Sequence, residues 1–433
     1  MKSKYFFLLK VVHIAITTAL FHFCRYYDNL GYYNNYFMTV GYVFALCFFN
    51  RTYNSYLLGF TRIRELVFSQ FLSQVFSGLI VCITVGLAQF KLYFLLVFPV
   101  LGFLLPVLGL QILFDCAWSF VANSLYLRLN LPKRTIFIYR SEADKARFGS
   151  IAGKPVGKIY KIEKELQYRG LGFQEIKHEL TGFEAVFVAG VSSRCRNGIL
   201  KYCAEQNIPG FFLPHVGDVL MRGAMHIQSF TSPVMYFSKK EIKPEYLFLK
   251  RCLDFFASLT VLVVFSPLMA ILAAWIKSYD GGPVIYKQTR LTKDGKEFEI
   301  YKFRSMCVNA ESDGVARLSG EGDKRITPVG RIMRKCCFDE IPQLFNVLKG
   351  DMSFVGPRPE RPELAKEYYE KIPDFKLRLQ VKAGLTGYAQ VYGKYDTSPY
   401  EKLEFDLLYI NDMNMWTDLR LIFATFSVLG RHV

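Results

Sequence analysis

LDFFASLTVLVVFSPLMAILAAWI, residues 253–276, is long and apolar enough to cross a hydrocarbon layer of about 30 Å, which takes about 20 helical residues. Two features argue against a simple crossing. Ser266 and Pro267 stand at its centre, where the proline removes a backbone N–H and pushes the preceding residue out of the helical region. Basic residues flank both ends, Lys250 and Arg251 before it and Lys277 after it, whereas the positive-inside bias favours them on one side of a crossing helix. A re-entrant hairpin over residues 252–277, built as helix, break, helix, satisfies both observations. The Ser266 hydroxyl is then available to backbone groups freed at the break.

Upstream, four further runs reach spanning length: Tyr5–Phe23, Tyr32–Phe49, Phe68–Phe90 and Leu92–Leu113. The first is read as a retained anchor rather than a cleaved signal, because Lys10 and His13 interrupt its core, no small-residue cleavage site follows and another span comes next. Arg51, Arg62 and Arg64 lie between the second and third spans, and Arg128, Lys133 and Arg134 follow the fourth. The connections after the first and third spans carry only Arg25 and Lys91, so both ends of this bundle are expected on the cytoplasmic side of the membrane.

The whole chain of 433 residues is 52% hydrophobic and 21% charged, which excludes a disordered or linker protein. Its net charge of +17 suits anionic partners such as nucleic acid, a membrane surface or phosphorylated substrates. Residues 1–250 hold 28 basic and 14 acidic side chains and residues 251–433 hold 26 and 23. The excess therefore belongs largely to the first half, near an anionic leaflet, and is not a nucleic-acid footprint on the second. None of the ten cysteines forms a C-x-x-C pair, which favours a reduced compartment, and no Cys/His spacing suits zinc. Carboxylates and phosphates are then the expected ligands of any metal.

Residues 133–237 change character. Short strands are expected over Thr135–Tyr139, Ala185–Ala189 and Gly210–Leu213, alternating with helices over Lys161–Arg169 and Asn197–Glu205, the rhythm of a doubly wound, Rossmann-like α/β domain. A dinucleotide site would need G-x-G-x-x-G after the first strand. Tyr139, Arg140, Ser141 and Glu142 follow instead, which argues for a degenerate, structural or regulatory module.

The reactive side chains gather in TPVGRIMRKCCFDEIPQLFNVLKGDMSFVGPRPERPE, residues 327–363. Phe338, Ile341, Leu344, Phe345 and Leu348 recur at helical spacing and predict an apolar face, with Asp339, Gln343 and Asn346 opposite and Glu340 to one side. Pro342 is tolerable only in a first turn, so Asp339 and Glu340 are expected at a helix N-terminus, where phosphate oxygens are well received. Arg331, Arg334 and Lys335 lie just upstream, and Arg358 is confined between two prolines. Adjacent carboxylates among cations are the parts of metal-assisted phosphoryl transfer, and equally those of an acidic helix cap with salt-bridged bases.

The strings KRCLDFFASLTVLVVFSPLMAIL, VIYKQTRLTKDGKEFEIYKFRSM, RIMRKCCFDEIPQLFNVLKGDMSFVGPRPE and GLTGYAQVYGKYD, in this order, closely resemble the bacterial sugar transferase family, the monotopic polyprenyl-phosphate phosphoglycosyl transferases. The resemblance covers residues 248–433. Four spans followed by a Rossmann-like section resemble the long-form members that start O-antigen, capsule and exopolysaccharide repeats. The resemblance implies a membrane helical bundle over 1–132, an α/β module over 133–247 and an α/β catalytic domain with the re-entrant segment over 248–433. It implies transfer of hexose-1-phosphate from a UDP-hexose to undecaprenyl phosphate with release of UMP, on the cytoplasmic face. Asp339 matches the attacking residue that forms a covalent phosphosugar, and Glu340 the second member of the dyad, with Mg²⁺ held by the two. Lys302, Arg304, Arg334 and Arg358 match basic positions for diphosphate, lipid phosphate or uridine, and Gln343 and Asp351 match further motif positions. Tyr388 and Tyr392 stand where family members commonly carry Trp and Asn, which bears on sugar or uridine contacts rather than on the chemistry. Glucose or galactose is the commonest expectation for long-form members, with N-acetylated or deoxy sugars as alternatives. The membrane bundle and sheet domain offer surface for a homodimer, and the product, at the cytoplasmic face of a bacterial inner membrane, would pass to downstream polysaccharide-assembly glycosyltransferases. A nucleotide-sensing regulator would instead need an intact glycine loop and would leave the Asp339–Glu340 constellation unexplained, and a non-catalytic scaffold would be favoured if the folded full-length protein showed no transfer with any UDP-sugar.

The stretch Met415–Leu429 places Trp416, Leu419, Ile422, Phe423 and Phe426 on one side, as expected of a helix lying in the membrane interface or packed on the domain core.

Overall fold

The computed structural model describes residues 2–26, 32–88, 104–151, 156–170, 172–228, 233–237, 242–308, 310, 323, 325–393 and 397–429. The chain divides into two compact units, Met1–Leu213 and Pro214–Val433.

The first unit opens with helices α1 (Lys2–Tyr26), α2 (Tyr32–Thr52), α3 (Ile63–Ala88) and α4 (Leu105–Leu129). By length and composition α1, α3 and α4 can each cross a membrane. The fourth span differs from the expected Leu92–Leu113: its first part, residues 92–103, lies outside the described residues, and the helix continues to Leu129. The reason is a polar stripe at every fourth position of α4, Gln111, Asp115, Ser119 and Asn123, which hydropathy alone reads as the end of a span. All four are buried and bonded. Gln111 donates to the Thr17 carbonyl and the Tyr42 hydroxyl, both at 3.0 Å. The Asp115 carboxylate meets His13 Nε2 at 3.0 Å and the Gln74 amide at 2.9 and 3.0 Å. Ser119 donates to Gln70 Oε1, and Asn123 Oδ1 accepts from the Gly59 N–H. Where no water competes, each partnered polar group avoids a desolvation cost of a few kcal/mol, so the stripe fixes how the helices pack.

Four parallel strands follow, β1 (Lys133–Tyr139), β2 (Tyr160–Gln167), β3 (Ala185–Ala189) and β4 (Gly210–Phe212), in the order β2-β1-β3-β4. Helices α5 (Glu142–Ile151), α6 (Phe173–Leu180) and α7 (Ser193–Glu205) lie in the crossovers. Alternation along β1 and β3 sends Ile136, Ile138, Val186 and Val188 into one core and Phe137, Tyr139, Phe187 and Ala189 into another, as expected of a parallel sheet covered on both faces. Lys161–Arg169, read from its charge spacing as a helix, is instead largely the edge strand β2. Its side chains are almost all solvent-facing, so the charges that suggest helix pairs serve cross-element ones, Glu163 with Arg134 and Lys164 with Glu179. Pairing with β1 overrides the local preference. The turn after β1 is closed by Ser141, whose hydroxyl donates to Asp144 Oδ2 at 2.7 Å.

The second unit begins with α8 (Val216–Arg222) and the antiparallel hairpin β5 (Met225–Gln228) and β6 (Pro233–Tyr236). The sequence pattern groups these residues with the middle section, but Val216 and Val219 belong to the core of this unit with Leu403, Leu407 and Leu421. Next comes α9 (Pro244–Asp280), then the hairpin β7 (Ile285–Leu291) and β8 (Glu297–Phe303), and α10 (Pro328–Lys335). A 3₁₀ turn, Phe338–Glu340, leads into α11 (Gln343–Lys349) and β9 (Ser353–Val355). α12 (Pro362–Lys371), a 3₁₀ segment Pro373–Gln380, β10 (Gly384–Thr386, parallel to β9), α13 (Tyr388–Tyr392), α14 (Pro399–Asp412) and α15 (Met415–Leu429) complete the chain.

The break expected at Ser266–Pro267 does not interrupt the helix: α9 is helical from 244 to 280. Pro267 cannot donate to the carbonyl four residues back, that of Val263, and the Ser266 hydroxyl donates to it instead at 2.8 Å. Both ends of α9 are fastened to the second unit. At the N-terminal end Lys250 reaches Asp418 at 2.8 Å, Arg251 caps the Val347 and Leu348 carbonyls at 2.6 Å, and Asp254 accepts from Ser353 and the Phe354 N–H. Toward the C-terminal end Leu272 and Ile276 pack with Phe303, Val329 and Met333. Between them Phe256, Val263, Val264 and Ile271 are exposed apolar residues. In α15 the buried face is Asp418, Leu421 and Ala424, whereas Trp416 and Phe426 are exposed.

Candidate active site

Helix α10 starts on a Thr327 cap, with the Gly330 N–H donating to Thr327 Oγ1 at 2.9 Å and Pro328 in the first turn. Gly330 is required here: a Cβ would lie 2.0 Å from the Ser305 carbonyl oxygen, so α10 could not pack this closely. Val329 and Met333 face the core, and Arg331, Arg334 and Lys335 line a cleft. Cys337 then takes the left-handed conformation (φ 57°, ψ 22°), a cost of about 1 kcal/mol for a non-glycine residue. It ends the helix and swings the chain into the 3₁₀ turn carrying Asp339 and Glu340. Pro342, which has no N–H to lose, stands just before α11.

The cleft measures about 1960 Å³. Its described lining holds eleven basic side chains and three acidic ones, Asp339, Glu340 and Glu360. One wall is apolar: Leu253, Phe256, Val261 and Phe265 of α9 with Ile422 and Phe426 of α15. Such a surface accepts an anionic head and an apolar tail together.

The two adjacent carboxylates are treated differently. Glu340 Oε1 accepts from Lys302 Nζ at 2.8 Å and from Arg358 Nη2 at 2.7 Å. Burial would push its carboxyl up, but the Arg358 and Lys302 cations outweigh this and hold it well below the usual carboxylate range. Asp339 is 9% exposed and makes no hydrogen bond or ion pair among the described residues. Burial and the adjacent Glu340 charge raise its pKa, against Lys302, Arg334 and Arg358. The same burial, with Arg358 nearby, lowers that of Lys302. The turn thus holds one permanently ionised, paired carboxylate beside one that is unpaired and more basic than usual.

Arg304 is held by Asp280 at the end of α9, and its Nε and Nη1 are buried without partners among the described residues. Arg334 Nε donates to Ser305 Oγ at 2.8 Å. Lys302, Arg304, Arg334, Arg358, Asp339 and Glu340 all line the cleft. Gln343 and Asp351 do not. Gln343 is buried, and Asp351 sits in the turn after α11, where its carbonyl accepts from Thr292 and its carboxylate from Asn346 at 3.4 Å. The face of α11 expected to be polar and open is also inside: Asn346 is fully buried, pairing its amide with the Tyr301 N–H and the Glu299 carbonyl of β8, while Phe345 is exposed. Ser266 and Pro267 lie outside the lining. Sequence reasoning missed Glu360 and Arg361, which lie just beyond Arg358 in the same stretch, and Arg290, Arg378 and Lys402, which come from separate elements and carry no spacing signal.

The family model for the bacterial sugar transferases matches residues 245–432, the part that builds this cleft. A Caulobacter vibrioides relative, UDP-glucose:undecaprenyl-phosphate glucose-1-phosphate transferase, is 40% identical over 185 residues, 42% of this chain and 69% of the relative. The chain belongs to the bacterial sugar transferase family. It is also 37% identical over 233 residues to the UDP-N-acetylgalactosamine-undecaprenyl-phosphate N-acetylgalactosaminephosphotransferase of Aeromonas hydrophila (53% of this chain, 54% of the relative). It is 41% identical over 199 residues to the undecaprenyl-phosphate galactose phosphotransferase of Salmonella typhimurium (42% of this chain, 41% of the relative). The chain thus spans about half the length of these two relatives, and the family match over residues 245–432 includes Asp339 and Glu340.

Proposed function

We propose that the protein moves hexose-1-phosphate from a UDP-sugar to undecaprenyl phosphate and so starts a surface polysaccharide. The observation that carries this reading is the unpaired, buried Asp339 beside a fully paired Glu340, in a cationic cleft whose other wall is the apolar face of α9. An Asp339 carboxylate oxygen attacks the β-phosphorus, and the bond from that phosphorus to the bridging oxygen breaks. UMP leaves with the bond's electrons. An oxygen of undecaprenyl phosphate then attacks the same phosphorus and releases Asp339, giving the lipid diphosphosugar. A carboxylate meeting a diphosphate suffers charge repulsion, and Lys302, Arg304, Arg334 and Arg358 are placed to offset it. Glu340, ionised throughout, keeps Lys302 and Arg358 at the reacting end.

Asp339 and Glu340 are the carboxylates able to hold Mg²⁺. They are only two, and among the described residues no third acidic, histidine or cysteine ligand joins them, which suits an ion that takes one or two carboxylates and completes its shell with substrate phosphates and water. When bound it would neutralise phosphate charge. The fastening of both ends of α9 to one globular unit supports a segment that enters and leaves the bilayer on the same face, the cytoplasmic one by loop charge. Assay of the full chain in membranes with undecaprenyl phosphate, Mg²⁺ and UDP-glucose, UDP-galactose or UDP-N-acetylgalactosamine should release UMP with at least one donor. Absence of UMP with every donor, or undiminished release by Asp339→Asn, would overturn the proposal.

A further inference from the structure

The loop that carries Arg358 has an unusual problem of support. Pro357 and Pro359 have no N–H, so it can be held chiefly through its carbonyls. All four of its carbonyls are indeed engaged, that of Pro357 by the Gly384 N–H at 2.9 Å. The Arg358 oxygen accepts from Arg378 Nη2 at 2.8 Å, the Pro359 oxygen from Arg290 Nη1 at 3.0 Å, and the Glu360 oxygen from the Leu291 N–H at 3.0 Å. Two of the four donors are guanidiniums from different elements, Arg290 on β7 and Arg378 in the 3₁₀ segment before β10.

Arg378 is 3% exposed and is oriented by Asp406 of α14, through Nε to Oδ2 at 2.8 Å and Nη2 to Oδ2 at 2.7 Å. Burying these groups is unfavourable. Burial raises Asp406 to about 6 despite Arg378, and burial with the Arg358 charge lowers Arg290 to about 10. As a stability device a buried ion pair is a poor substitute for apolar packing. Apolar side chains, however, cannot donate to the carbonyls of a loop with so few donors of its own, and a planar guanidinium does so with fixed direction.

We propose that Arg378, oriented by Asp406, and Arg290 are positioning residues that pin the 357–360 loop so that Arg358 stays on Glu340. For its kinetic consequence this rests on the reaction proposed above; for the ion pair itself it does not. Arg378→Lys keeps the charge toward Asp406 and loses the directed second donor. In a double-mutant cycle on UMP release, Arg378→Lys should lower kcat/KM roughly 10- to 100-fold, the scale of a misplaced catalytic group. Added to Arg358→Lys it should lower kcat/KM by no more than about twofold further, since nothing remains to be positioned. Losses that multiply across the pair would overturn the proposal. A second cycle needs no turnover: Glu340→Gln should lower the melting temperature less in the Arg378→Lys background than in the wild type, and an equal drop in both would also overturn it. If Arg378→Lys fails to fold, Arg290→Lys tests the neighbouring carbonyl in the same two cycles. A wild type that releases no UMP from any UDP-sugar would end the proposed reaction, while the unfolding cycle would still decide the positioning role.

Discussion

The helical bundle of the first unit and the cleft of the second each bury a carboxylate, and they satisfy it in opposite ways. Asp115 is met by His13 and twice by the Gln74 amide within a stripe of paired polar side chains, whereas Asp339 has no such partner and its neighbour Glu340 takes both nearby cations. A buried polar group with every partner in place specifies packing. One left without partners, next to a carboxylate that cannot be protonated at ordinary pH, is available to react.

Asp339→Asn should separate the two regions most sharply. We expect loss of UMP release by about four orders of magnitude or more, the scale of a removed covalent nucleophile, with a melting temperature at neutral pH that rises or holds. The sign follows from linkage: a carboxyl whose pKa is raised on folding disfavours the folded state when ionised, so removing the charge relieves it. A fall in melting temperature would break the contrast with Asp115. There the opposite is predicted. Asp115→Ala strands His13 and Gln74 and should cost about 3–5 kcal/mol in detergent unfolding, with turnover per folded molecule unchanged.

Glu340→Gln should lower kcat/KM about 100-fold, because Lys302 and Arg358 lose the charge that holds them. Titration refines the same comparison. UMP release should decline as pH falls through the raised pKa of Asp339, since the attacking group must be ionised, and this acid limb should lie above the ordinary carboxylate value of about 3.9. The stability supplied by Glu340, whose pKa is depressed, is fully present above its unfolded value of about 4.3 and is lost only as pH falls further, through its folded value. An acid limb that is unchanged in Asp339→Glu would argue that another group sets it. The smallest effect is expected at Ser266→Ala, about 1 kcal/mol by unfolding, from the Val263 carbonyl that Pro267 leaves without a donor.

Much of this protein was legible one residue at a time. Apolar run length announced α1, α2 and α9, short β-branched and aromatic runs announced β1 and β3, and the one-sided apolar spacing of Met415–Leu429 announced α15. The Asp-Glu pair and its flanking bases were found because they are close in sequence. The misreadings have a common cause. The polar stripe of α4, the charged edge strand β2 and the buried Asn346 each hold side chains whose local preference is reversed by a partner distant in the chain, His13 and Gln74 for Asp115, β1 for β2, and Tyr301 and Glu299 for Asn346.

The amino-acid sequence by itself determined which segments seek apolar surroundings, where the chain must turn and which residues are chemically able to transfer a phosphoryl group, because hydropathy, proline and ionisable side chains are local properties. Tertiary structure alone decided that Glu340 would be paired and Asp339 left open, and that Arg290, Arg378 and Asp406 would converge on the loop of Arg358. Burial and charge pairing depend on distances between residues far apart in the chain, and only the folded backbone sets those distances.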